Sequence, residues 1–325
     1  MLSEKPWKTE AVLRLVASII LSYLAGSFIS TALYYKGSGG AIGVKFILII
    51  TAALLSMGVA LILVRRAWRL EGFALRAGLL LTCLYGGLFL GAWAQKIAGQ
   101  ASPSLGHMVI ALLSFQGAAL VWVSLFLHEH GTSWTEGFGF RNQWQHCLLW
   151  GIIVACVFLP LGLGLKWVSA EVVVRLHFKA EEQQVVQTLQ MDPTGPGRFI
   201  FGLFTVFLVP PAEEAIFRGV FYSWAKQAGF PRLALWGTAV FFGAIHLNLI
   251  SFIPLTLLAV ALTLLYERTD NLLAPITTHA LFNGVNFALL YLPEERLFPV
   301  LMLALTVGLA FVLALLGLKQ VFAKR

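Results

Sequence analysis

The feature that most constrains this chain is a recurrence of apolar runs, each about long enough to cross a lipid bilayer. A bilayer core about 30 Å thick requires about 20 apolar residues per helix. Ten such runs occupy residues 11–35, 41–64, 77–95, 108–127, 147–168, 199–222, 233–250, 252–266, 272–292 and 298–318. Only 12% of the residues are charged and the mean hydropathy is +0.83, so a soluble surface, which needs about 25% charge, cannot be built. Disorder, collagen and a small disulfide-stapled domain are excluded by the same richness in Leu, Val, Ile and Phe. The fold class expected is all-α: a polytopic transmembrane helical bundle of about ten spans. The eighth run is short, and Pro254 near its start predicts a kinked or tilted helix.

The net charge of +8 does not point to nucleic acid, because the basic residues sit at the ends of the apolar runs. There they set orientation in a bilayer. With the N-terminus cytoplasmic, fourteen Lys and Arg fall on that side and eight on the other. Arg65, Arg66, Arg69 and Arg76 carry most of the difference, and both termini are expected in the cytoplasm. The first run is longer than a secretory h-region and reads as a retained span. The expected location is the cytoplasmic membrane of a prokaryote, as a multi-pass protein with the lipid bilayer as one partner. Cys83, Cys147 and Cys156 show no metal-ligand or disulfide spacing and read as small buried hydrophobes.

Three regions are expected. Residues 1–198 hold N-terminal spans and an amphipathic connection, 199–292 a helical core, and 293–325 a last span with a basic tail. Residues 128–146 are expected at the membrane interface with Trp134 and Trp144 as anchors. Residues 169–197 are expected to hold a surface-lying helix, broken by Asp192-Pro193 and Gly195-Pro196.

Of fifteen acidic residues, thirteen lie in connections or tails. Glu213 and Glu214 stand side by side inside the sixth run, where each charge costs at least about 2.5–3.5 kcal/mol. Arg218 follows Glu214 by four residues, the spacing at which helix side chains meet. That pairing neutralises Glu214 and leaves Glu213, about 100° round the helix, to face another group. Pro210-Pro211 should disturb the backbone just before the pair. His246 and His279 lie inside later runs, with Phe242 and Asn283 each four residues from one of them. At 1.5 Å per residue, Glu213, His246 and Asn283 lie about 20 Å, and His279 about 14 Å, from one end of their helices. They share a layer.

A carboxylate with two imidazoles can activate water for hydrolysis, bind a metal, or relay protons and bind substrate in a transporter. The ordered set is E-E-x-x-x-R at 213–218, F-x-x-x-H at 242–246 and H-x-x-x-N at 279–283. It resembles the CPBP family of CAAX prenyl endopeptidases and bacteriocin-processing enzymes, also called Abi, over about residues 199–292. The resemblance implies an intramembrane protease acting on membrane-associated protein or peptide substrates, prenylated or leader-bearing. It implies that Glu213 activates water with help from His246, that His279 and Asn283 stabilise the oxyanion, and that Glu214 and Arg218 brace the site. Phe242 would wall it. No cofactor is expected; the alternative is zinc held by Glu213, His246 and His279. H-E-x-x-H is absent, and His128-Glu129-His130 has the wrong spacing. A secondary transporter and a non-catalytic immunity scaffold are the rival readings.

Overall fold

The computed structural model describes residues 7–291, except 68, 70–71, 100–104, 141–142, 180–182, 184–185, 188 and 190–194, together with 299 and 306. These residues form helices and turns, with no strand among them. Among the described residues, seven helices are long and apolar enough to cross a membrane: Thr9–Gly37, Val44–Arg66, Phe73–Ile97, Met108–Glu129, Trp144–Arg175, Gly197–Gln227 and Leu249–Thr269. The run at 298–318 and the basic tail lie outside the described residues.

The chain divides into two compact units, one of Pro6–Gly131 with Met191–Phe204, the other of Thr132–Gln190 with Thr205–Arg325 and Met1–Lys5. The first unit holds α1 (Thr9–Gly37), α2 (Val44–Ala67), α3 (Phe73–Ile97), α4 (Leu105–Leu112) and α5 (Ala118–Glu129), the last two joined by a π-helical turn at Leu113–Gly117. α1 packs against all the others. Gly87 accommodates the Leu24 side chain, and a Cβ on Gly26 would lie 2.1 Å from Ser114, so small residues set how closely these helices approach. At one end, Arg14 pairs with Glu129 and Arg76 with Glu10.

The second unit is built from α6 (Trp134–Gly137), α7 (Trp144–Arg175), the end of α8 (Gly195–Phe207), α9 (Val209–Glu214), a π-helical stretch Ala215–Tyr222, α10 (Ser223–Gln227), α11 (Pro231–Ala244), α12 (Leu249–Thr269) and α13 (Leu273–Leu289). Its core joins Phe158 and Leu159 of α7 to Leu258 and Leu262 of α12 and Phe282 of α13. A Cβ on Gly151 would lie 2.7 Å from the Ala274 carbonyl, which is why α7 and α13 pack so closely. Thr278 Oγ1 donates to the Gly151 carbonyl at 2.8 Å.

Four expectations change. The run 233–250 is not one helix, because α11 has 14 residues, about 21 Å, and stops at Ala244. Leu247 then takes φ 49°, and Asn248 accepts a hydrogen bond from Ser251 N at 2.9 Å, starting α12. α12 is 21 residues long and continues through Pro254, so the short eighth run is part of a full-length helix. The first residues of the 169–197 connection belong to α7, which runs to Arg175; Asp192 and Pro193 lie outside the described residues. The 128–146 connection places more than interfacial anchors. Phe138 is fully buried, and a Cβ on Gly219 would lie 2.4 Å from its ring.

Candidate active site

The site begins with a broken helix. α8 ends at Phe207, Leu208 turns, and α9 starts with Pro210 and Pro211 in its first residues. A proline has no N–H to give to the preceding turn, so the pair forces the interruption that the sequence foreshadows. α9 lasts six residues and passes directly into the π-helical stretch. Such widened turns occur frequently at functional sites. Glu213 and Glu214 are the last residues before the widening, and Arg218 sits within it.

The buried charges are bound into one network. Arg218, 1% exposed, donates from Nη1 to Glu214 Oε1 at 2.9 Å, from Nη2 to the Ala259 carbonyl at 3.0 Å, and from Nε to Thr263 Oγ1 at 3.4 Å. Its guanidinium also lies over the Phe242 ring, 4.9 Å from the centroid. Burying an ion is tolerable when it is paired and its hydrogen-bonding groups are occupied; every nitrogen of this fork has a partner. Glu214 and Arg218 thus meet at the i, i+4 spacing read from the sequence.

Glu214 does a second thing that the i, i+4 rule does not reveal. Its Oε1 also accepts from His279 Nδ1 at 2.8 Å. A carboxylate at Nδ1 fixes the proton there, so the neutral ring presents an unprotonated Nε2. That nitrogen lies 3.7 Å from Glu213 Oε2. The two adjacent carboxylates thus approach the same imidazole at its two nitrogens. His279 donates through Nε2 only as the imidazolium, which qualifies the oxyanion role that the resemblance implies for it.

His246 follows the end of α11, and its Nδ1 donates to the Phe242 carbonyl at 2.8 Å. It too leaves Nε2 free of that proton. The Phe242 ring, fully buried, contacts both imidazoles, with centroids 5.1 Å from His246 and 5.8 Å from His279. Asn283 Nδ2 donates to the Thr205 carbonyl at 3.1 Å, which holds one amide hydrogen and leaves the other, since the side chain carries two.

Sequence reasoning passed over Thr263, Ala259, Thr278 and Thr205. Thr263 was visible as a lone hydroxyl in the otherwise apolar stretch 257–265. The backbone carbonyls carry no sequence signal at all. Beside the site lies an open apolar groove of about 560 Å³, lined among others by Val206, Phe207, Pro211, Ala280 and Gly284. Pro211 is two residues before Glu213, and Ala280 adjoins His279. Among the described residues, no group of three or more His, Cys, Asp or Glu side chains that could hold a metal ion is found.

Residues 195–285 match the family described as type II CAAX prenyl endopeptidase Rce1-like. This segment is an Rce1-like domain. Within it fall all seven site residues expected from the sequence: Glu213, Glu214, Arg218, Phe242, His246, His279 and Asn283. The chain is also 26% identical over 149 residues to the UPF0177 protein YaiF of Lactococcus lactis subsp. lactis (strain IL1403), covering 45% of this chain and 64% of that protein. It is 33% identical over 87 residues to the uncharacterized protein YpbD of Bacillus subtilis (strain 168), covering 26% of this chain and 42% of that one. The chain thus spans less than two thirds of the length of either relative. No solved structure matches it. The Rce1-like domain and seven long apolar helices together fit a multi-pass membrane protein.

Proposed function

We propose that this protein is an intramembrane endopeptidase that hydrolyses peptide bonds of membrane-associated substrates. One observation carries the reading: a carboxylate pair buried within a membrane-spanning helix, with one member braced by Arg218 and the other facing His279. Glu213, 5% exposed, takes a proton from the attacking water as general base. His246, with its Nδ1 tied to a backbone carbonyl, holds that water through Nε2. The remaining amide hydrogen of Asn283 stabilises the oxyanion, with Nε2–H of protonated His279 as the second donor. The proton collected by Glu213 then passes to the leaving amine. Glu214 keeps His279 in the orientation this requires. The neighbouring apolar groove accommodates the lipid-embedded portion of a substrate, prenylated or otherwise.

The test uses the purified chain in nanodiscs with lipid-modified and unmodified peptides. Glu213→Gln should lower turnover by at least about 10²-fold, with thermal stability nearly unchanged. Chelation should leave the wild type active. Stoichiometric zinc, with activity lost on chelation and restored by the metal, would reverse the metal-free reading in favour of a metalloprotease. Full turnover by Glu213→Gln would return the site to a transporter or scaffold role.

A further inference from the structure

Phe138 lies outside the Rce1-like segment and carries no ionisable group, yet it reaches both elements that build the buried network. Its ring lies against Gly219, where an added Cβ would come within 2.4 Å of the Phe138 Cε1. Gly219 follows Arg218 in the π-helical stretch. The backbone of Phe138 meets a different element, because its carbonyl accepts from Leu272 N at 3.0 Å. Leu272 caps α13, the helix that carries His279 about two turns further on. Gly139, the next residue, has φ 77°, and a Cβ there would lie 1.9 Å from the Asp270 carbonyl. Only glycine lets the chain pass this close to the α12–α13 corner. Phe138 is 0% exposed, and the Trp134 ring packs edge-on against it with centroids 5.2 Å apart. The side chain is thus seated between a socket on one element and a fixed corner on another.

The charged network spans the same two elements. Glu213, Glu214 and Arg218 belong to α9 and the π-helical stretch, and His279 belongs to α13. Glu214 Oε1 lies 2.8 Å from His279 Nδ1, and Glu213 Oε2 lies 3.7 Å from Nε2. A relative shift of about 1 Å would take the first contact out of hydrogen-bond reach. Direct packing of α9 on α13 joins the two at the Val209–Glu214 end. Ser223 Oγ donates to the Arg218 carbonyl at 2.9 Å, but that bond ties the helical segment to itself and does not fix its distance from α13. Phe138 supplies a tie at the other end, beyond Arg218. We infer that Phe138 is a positioning residue for the active site: its ring on Gly219 and its carbonyl on Leu272 set the distance between the carboxylate pair and His279. It acts through Arg218 and Glu214 and touches no reacting atom. Its effect on turnover rests on the proteolytic reading proposed above; its effect on the His279 contacts does not.

The experiment follows the imidazole N–H protons of His279 by NMR in the full chain in nanodiscs, with histidine isotopically labelled at the ring nitrogens. The signal is assigned by its absence from His279→Gln. In the wild type, the Nδ1–H that donates to Glu214 should give a resolved downfield resonance. Phe138→Leu should shift or broaden that resonance and lower kcat at least about tenfold with KM nearly unchanged, since a misplacement of about 1 Å can cost about 10²-fold. Gly219→Ala should do the same by displacing the ring. The double variant Phe138→Leu, Gly219→Ala roughly conserves volume, so it should recover the resonance and bring kcat to within about threefold of wild type. Phe28→Leu makes the same change in the core of the first unit and should leave both readouts intact. All readings are taken well below each melting temperature, and Phe138→Met, which fills more of the socket, replaces the leucine variant if that one does not fold. An unchanged His279 resonance in both single variants, a double variant no better than either single, or equal loss in Phe28→Leu would overturn the proposal. A wild type that shows the resonance but hydrolyses no peptide would remove the proteolytic reading alone, and the resonance would still decide this one.

Discussion

Arg218→Met tests whether the buried network is organised as described. The substitution keeps an unbranched side chain of comparable length but removes the donors to Glu214, Ala259 and Thr263. Glu214, 0% exposed, is left with His279 as its remaining hydrogen-bond donor and with Glu213 beside it in the chain. Breaking a buried pair from one side costs about 3–5 kcal/mol, because the surviving charge is stranded in a low-dielectric site. At about 2–4 °C per kcal/mol for a domain of this general size, the melting temperature in detergent should fall by roughly 6–20 °C. The double variant Arg218→Met, Glu214→Gln removes the stranded charge while its amide oxygen still accepts from His279 Nδ1. It should therefore recover more than half of the loss, since replacing both partners of a buried pair is often nearly neutral. Thermal unfolding followed by a thiol-reactive dye suits the assay, because Cys83 and Cys147 are buried in the folded protein. A single variant within about 2 °C of wild type, or a double variant no better than the single, would refute the reasoning.

Asn283→Ala removes the proposed oxyanion donor and should lower kcat by about 10²–10³ while KM changes little; loss of the Thr205 hydrogen bond should cost only about 1 kcal/mol of stability, and a matching rise in KM would point to substrate binding instead. At Leu247, whose φ is 49°, an L-residue pays about 1–2 kcal/mol that glycine does not. Leu247→Gly should therefore leave the melting temperature unchanged or higher, and Leu247→Val should lower it, because a β-branched residue fits this region worst; the opposite order would show that the turn is held by contacts of the leucine side chain.

Much of this architecture was legible because its signals are local. An apolar run must be buried or lie in lipid, so the spans could be placed from composition and length. Two prolines must interrupt a helix, and the break falls at Leu208, just before them. Glu214 and Arg218 meet because a spacing of four residues brings helix side chains together, and the contact survives even where the backbone widens into a π-helical stretch. Intramembrane charge is expensive enough that its mere presence at 213, 214 and 218 marked the site.

What only the tertiary structure decided is which partners those charges find across helices. Helix rotation turns Glu213 away from Glu214, yet both reach His279, because an imidazole has two nitrogens and α13 inserts it where both carboxylates can approach. The run at 233–250 looked like a continuous span because Ile245, Leu247, Leu249 and Ile250 are apolar. It ends at Ala244 because the backbone reverses at Leu247 and Gly243 lets α12 pack against α11. Hydropathy records how much a segment prefers to leave water. It does not record where the chain turns back, nor which carbonyl or hydroxyl on a distant helix, such as Ala259 or Thr263, will meet a buried guanidinium. Those contacts are fixed by packing, where the geometry of every neighbouring helix enters at once.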